Sequence, residues 1–296
     1  MKRKSKAKAK KKNKAPWLWG WLAFAAIVAV FLIGLWVRGN IVHVMRATVY
    51  IADLPRAFEG RTILYATDID IGSDTSPAKA ANLFRRLEAL KPDMLILGGD
   101  YTTHTLLQRL DGKTEFTEAD ARNLSEFFHY IYDFSAPLGR FALFTDDESA
   151  AFPIEGFEIL NDRRCCVELD GEQLWLVGVT EKTPNVRKGG RSFKRGECVI
   201  AVADSPSVFP ILNTTEAKDG GHWPDMCLAG ATHGGQIRLL DRNLLPLNSY
   251  EQHYLYGWAH ETGIPMLTTS GVGCEGANLR FGTQSEVWLI TLTNNG

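Results

Sequence analysis

Twenty-one consecutive residues, 17–37, carry no charge, and nine of the residues between 2 and 14 are Lys or Arg. At about 1.5 Å of helix rise per residue, such a run spans roughly 30 Å, the hydrocarbon thickness of a bilayer. Trp17, Trp19 and Trp21 stand at one end and Trp36 at the other, where indole rings prefer the interface. The run exceeds the apolar core of a cleaved signal peptide, and no small-residue cleavage pair follows it. The segment therefore reads as an uncleaved signal anchor closed by Arg38. The basic tail is expected in the cytoplasm and everything after Arg38 outside, in a single-pass cell-membrane protein.

The anchor also divides the charge. Residues 1–38 hold ten basic and no acidic side chains, leaving 23 basic against 34 acidic for the rest. An acidic body argues against nucleic acid as a partner, because phosphate backbones need a basic face. The five cysteines include the adjacent pair Cys165 and Cys166 and show no metal-binding spacing. They read as small buried hydrophobes rather than ligands or a disulfide framework.

Past a lead-in segment, 38–59, the chain repeats short apolar strand, loop and amphipathic helix. Strands are expected at 62–67, 94–97, 141–144, 198–203, 226–229, 265–269 and 286–292, and helices at 78–90 and 118–134. Asp170-Gly171, between the apolar runs 164–167 and 173–179, is a hairpin signal. Alternating strands and helices followed by a hairpin predict a mixed α/β sandwich.

The polar residues fall in one kind of place. Asp68, Asp100, Asp146 and Asp204 each follow a short apolar strand, and His233 follows another. A single Asp there usually caps a turn. Several at successive strand ends point to one shared site, because ligands of open α/β sheets bind beyond the carboxyl ends of strands. Converging carboxylates hold hard cations.

These blocks resemble the motifs of the calcineurin-like metallophosphoesterases, membrane-associated branch. Thr67-Asp68-Ile69-Asp70 is similar to the D-x-H motif and Gly98-Gly99-Asp100 to the G-D motif. Residues 139–148 occupy the G-N-H-D/E block. Asp204 stands where a strand-end His is found, and the run from Gly230 to Arg238 resembles G-H-x-H-G-G-Q. The resemblance covers about residues 45–293. It implies a four-layer α/β/β/α sandwich of two mixed sheets over 60–296, behind the basic tail 1–16, the span 17–37 and the lead-in 38–59. It also implies hydrolysis of phosphate esters, lipid or wall phosphates among them, at two metals that clamp the phosphoryl oxygens.

Carried over by position, Asp68, Asp100 and His233 keep the family's ligands. Asp70, Asp146 and Asp204 are carboxylates in place of its other donors, Ala231 offers no side-chain donor, and Asp147 replaces the His that assists the leaving group. Six ionised carboxylates would outweigh the charge of two divalent cations and repel a phosphate dianion. Oxygen donors favour Mg, Mn or Ca over Zn. Three readings stand side by side: an extracytoplasmic phosphoesterase with a carboxylate-rich centre, a binding or scaffold module on the same fold without catalysis, and a hard-cation-binding domain.

Overall fold

The computed structural model describes residues 16–72, 74–112, 115–145, 148, 154–161, 163–180, 192–221, 223–239, 242–243, 247–261 and 263–295. Helix α1 (Pro16–Asn40) contains the apolar run. Among the described residues it is the helix long and apolar enough to cross a membrane. Arg38 lies in its last turn, where a cation complements the helix dipole, and Asn40 Nδ2 donates to Trp36 O at 2.8 Å.

Two six-stranded mixed sheets make the body. The first runs in the order β1 (Val42–Tyr50), β14 (Ser285–Thr293), β2 (Thr62–Ala66), β3 (Met94–Leu97), β4 (Arg140–Ala142) and β5 (Glu158–Ile159). The second runs β12 (Gly257–Glu261), β13 (Ile264–Thr268), β9 (Met226–Ala229), β8 (Cys198–Ala203), β7 (Glu172–Val179) and β6 (Arg164–Leu169). A short antiparallel pair, β10 (Arg238–Leu239) and β11 (Arg242–Asn243), stands apart. β2, β3, β4 and β5 are parallel, as are β7, β8, β9 and β13, so their carboxyl ends form two adjacent rows. β14, the last strand, pairs antiparallel with β2 and parallel with β1. Asp170 and Gly171 both have positive φ, 52° and 81°, the left-handed pair that a two-residue hairpin between β6 and β7 needs.

Apolar side chains fill three layers between the four. Tyr65, Ile96, Leu143, Ile200, Leu228 and Trp288 pack between the sheets. On the outer face of the first sheet lie α2 (Pro77–Leu87) and α4 (Glu118–Tyr130), with Leu83, Phe84, Leu124 and Phe127 buried against it. The outer face of the second is covered by α5 (Phe209–Asn213) together with Phe193, Trp223 and Tyr254. The body is thus a four-layer α/β/β/α sandwich. α2 starts at Ser76, whose side chain accepts from Lys79 N, with Pro77 in the first turn; α4 starts at a Thr117–Asp120 capping box. Cys165, Cys198, Cys227 and Cys274 are buried, Cys166 is exposed, and all five are free thiols.

The body touches α1 through the loop before β14, through the start of β14 and through α2, where Lys79 Nζ donates to Asn40 Oδ1 at 2.7 Å. Arg280 N donates to Leu35 O at 3.3 Å, the Phe31 and Phe281 rings meet edge to face at 5.9 Å, and Ser285 Oγ donates to Gly39 O at 3.3 Å.

Candidate metal centre

The centre is built where β2, β3 and β9 end. Each strand stops because the next residues leave the extended region. Asp68, Asp70, Asp100, Ala231, His233 and Gln236 have φ of 50°, 56°, 53°, 69°, 47° and 37°. These are six of the eight non-glycine residues with positive φ among the described residues. Left-handed backbone in a side-chain-bearing residue costs about 1–2 kcal/mol, so its concentration here marks a site held by its surroundings. Cross-loop hydrogen bonds do the holding. Asp68 N donates to Gly99 O and Ile69 N to Asp100 O, both at 3.0 Å, and Gly273 N donates to Asp68 O at 2.7 Å.

Asp68, Asp100 and His233 each bring one ligand atom within 4.8 Å of the others. Asp70 Oδ2 lies 3.6 Å from His233 Nδ1, and Asp100 Oδ2 lies 4.0 Å from His233 Nε2. Asp68 and His233 are buried, whereas the Asp100 side chain keeps 39% of its exposure and forms the mouth. Asp68 Oδ1 accepts from Ala231 N at 2.8 Å. The residue with no donor side chain therefore contributes its backbone N–H. Asp68 Oδ2, Asp70 Oδ2 and His233 Nδ1 are buried with no hydrogen-bond partner. Leaving a buried polar atom unpaired costs about 1–3 kcal/mol. Three such atoms, one on Asp68 and two on the neighbouring Asp70 and His233, fit a divalent cation of the hard, oxygen-seeking kind, since two of them are carboxylate oxygens.

Burial is the leading cause of every shift at this site. It raises Asp68 from 3.8 to about 7, opposed by the Ala231 N–H and the Arg280 charge. It raises Asp70 and Asp100 well above the usual carboxylate range, with the charges of neighbouring Asp residues adding to it. It lowers His233 to about 3, helped by Arg280 and Arg109. Near neutral pH without a cation, the centre is a neutral imidazole among carboxylates that retain protons.

Of the residues picked out by sequence, the fold brings Asp68, Asp70, Asp100 and His233 together. Asp204 follows β8 directly, its Oδ1 accepts from Ser205 N at 2.8 Å, and it lies outside the group of three joined within 4.8 Å. Asp146 and Asp147 lie outside the described residues.

Two residues that sequence reasoning left without a role support the centre. Glu148 is buried, and its Oε1 accepts from Tyr101 N at 2.7 Å and Thr102 N at 3.2 Å. It thereby fixes the chain just after Asp100. Its signal was an acid closing the block 139–148. Arg280 is fully buried and gives hydrogen bonds to the carbonyls of His233, Ser270, Gly271, Gly273 and Gln284. Its signal in the sequence was the run Leu279-Arg280-Phe281-Gly282, which says nothing of burial.

Glycines let the loops close. A Cβ on Gly230 would overlap Asp68 Oδ2, and one on Gly273 would overlap the Asp70 Cβ and the Ile69 carbonyl. Gly273→Ala is expected to cost about 2–3 kcal/mol, as overpacking in a dense interior does, read as a lower melting temperature of the full chain in detergent. Glu148→Ala is expected to cost about 1–3 kcal/mol by orphaning two N–H groups, and to weaken cation binding.

No family model matches the chain, and no curated protein does. Among solved structures, the nuclease MPE of Pseudomonas putida superposes with a TM-score of 0.31 and 14% identity, over 76% of this chain and 82% of its own. GAP50, the anchor in the inner membrane complex of Plasmodium, superposes with a TM-score of 0.36 and 8% identity, over 77% and 79%. Superpositions this loose transfer no role to any residue here.

Proposed function

We propose that this chain is a membrane-tethered, metallophosphoesterase-like protein that holds a hard divalent cation between Asp68, Asp100 and His233 and acts on phosphate esters at the cell surface. The observation that carries this reading is the set of buried, unpartnered donor atoms on Asp68, Asp70 and His233. Mg, Mn or Ca suits these oxygens better than Zn. A cation so held polarises a phosphoryl oxygen and lowers the pKa of a bound water. The chain's own part is to fix Asp68 through the Ala231 N–H, to fix the segment after Asp100 through Glu148, and to keep His233 neutral. Asp70 joins the charge around the cation; Asp146 and Asp204 are further candidates by position, and Asp147 stands where a proton donor to the leaving group belongs. Lipid and wall phosphates are the substrates a tethered domain meets.

A second reading is favoured by Ala231. A backbone N–H there binds Asp68 where a side-chain ligand would bind metal, which suits a cation-holding module without turnover. Purified full chain in detergent, assayed on phosphomonoesters and phosphodiesters with Mg, Mn, Ca or Zn, separates the two. Turnover with a hard cation that Asp100→Asn lowers by at least the roughly 10–100-fold that losing even a ligand's outer partner costs supports the enzyme. Cation binding without turnover leaves the module.

The organisation belongs to the same proposal: cytoplasmic tail 1–16, span 17–37, lead-in segment 38–59, which gives β1 to the first sheet, and phosphoesterase-like domain 60–296 outside. Protease added to intact cells is expected to degrade the body. Protection until lysis reverses the orientation.

A further inference from the structure

Helix α3 (Leu106–Leu110) consists of Leu106, Leu107, Gln108, Arg109 and Leu110, and its three leucines are 55%, 75% and 74% exposed. Its polar side chains are engaged elsewhere. Gln108 Oε1 accepts from Thr105 N at 2.8 Å, and Arg109 forms an ion pair with Glu275. Three bare leucines in five residues make an apolar knob of the kind soluble surfaces avoid.

Its position in the fold names what covers it. Leu106 N donates to Gly276 O at 3.0 Å, and two residues on, Asn278 lies so close to Gly39 that a Cβ there would overlap it. Two residues reach at most about 7 Å, so α3 begins beside the point where α1 ends. Phe281, further along the same loop, packs on Phe31 of α1. Phe31 lies seven residues before Arg38, about 10 Å along the helix toward its apolar middle. On the other side of this loop, Arg238 N donates to Phe281 O at 2.7 Å, and Leu239, next to it, is 53% exposed. The exposed leucines therefore flank a loop that already rests against the apolar part of α1. Between loop and helix end lies a cavity of about 580 Å³ lined by Arg38, His43, Arg238 and Tyr256 among others, cationic and aromatic groups of the kind found at headgroup depth.

We propose that the body docks on the bilayer that α1 crosses, with Leu106, Leu107, Leu110 and Leu239 immersed at the boundary between headgroups and acyl chains. The occupant of this apolar face is lipid, because the face is continuous with the helix that lipid surrounds. The proposal rests on the reading of α1 as a membrane span. Docking holds the loop from Ser270 to Gln284, which braces the metal centre, against the membrane surface.

The test uses the full chain in phosphatidylcholine nanodiscs, with a diazirine-bearing leucine analogue placed singly at position 28, 107, 110 or 211. Val28 lies in α1, and Ile211, 41% exposed, lies on α5 at the outer face of the second sheet. After illumination, lipid adducts are read by mass. Docking predicts adducts at 107 and 110 comparable to those at 28 and about tenfold above those at 211, as immersion rather than collision requires. Adducts at 28 with 107 and 110 no higher than 211 would overturn docking and leave the anchor standing. No adduct at 28 would overturn the anchor, and docking with it.

Discussion

Arg280→Met is expected to lower the melting temperature of the full chain in detergent by about 10 °C. Methionine keeps the volume but removes every donor. The carbonyls of His233, Ser270 and Gly273, which accept from Arg280 at 3.0, 2.6 and 2.5 Å, lose them inside the protein. Removing a buried charged partner costs about 3–5 kcal/mol. A domain of this size loses about 2–4 °C per kcal/mol. Charge contributes too, since Arg280 is among the groups that hold Asp68 and Asp70 down. Arg280→Lys keeps the charge but not the planar fork, so it should recover only part of the loss. Scanning calorimetry of both variants gives the answer. A methionine variant that melts within about 2 °C of the parent, less than 1 kcal/mol on that scale, would show that the arginine does not brace the loops.

The second large effect is linkage among cation, proton and stability. With chelator present, Asp68 releases its proton at 3.8 when unfolded and at about 7 when folded. Its contribution to stability is therefore complete below 3.8 and is lost as pH rises through about 7. Asp70 and Asp100 are shifted the same way. His233 runs opposite: its folded value of about 3 lies below 6.5, so its contribution is present above 6.5 and lost as pH falls toward 3. Three carboxylates outnumber one imidazole. The metal-free chain should thus become less stable as pH rises from about 4 to about 7, the interval that separates the unfolded and folded values of Asp68. A cation that binds only the folded state at about 100 times its dissociation constant adds about 2.7 kcal/mol. Millimolar Mg, Ca or Mn should therefore raise the melting temperature most at neutral pH, and Zn less. Asp68→Asn should melt no lower than the parent in chelator, because an amide accepts the Ala231 N–H without a buried charge, yet show no shift with any cation. Melting scans across pH with chelator and with each metal read both effects. A pH-independent metal-free protein, or a larger shift with Zn at matched free concentration, would remove the carboxylate-rich cation site from consideration.

Much of the framework was legible because it rests on short-range rules. The uncharged run 17–37 can only be an apolar helix, and α1 extends it to Asn40. Met94–Leu97 lies between a helix-stopping proline and two glycines, and Cys198–Ala203 and Met226–Ala229 are equally well bounded; all three are strands with the expected limits. Asp170-Gly171 needs positive φ and takes it. Carboxylates at strand ends announced a site for the same reason: a chain leaving a sheet turns at Asp and Gly.

Long-range partnership was not legible, because pairing and burial are settled between residues far apart in sequence. β1 and β14, at opposite ends of the body, lie side by side in parallel, and no local pattern specifies that neighbour. Arg280 gives no sign of burial in the sequence until its surroundings supply five carbonyls. Ala231 reads as a lost ligand until its N–H is found on Asp68. The leucines of α3 carry no signal of exposure in the sequence, and only the fold leaves them on the outside. The sequence alone determined which segments are apolar, where they turn and which side chains carry charge. The tertiary structure decided which of those charges share one desolvated space, since desolvation depends on everything packed around a group rather than on its neighbours along the chain.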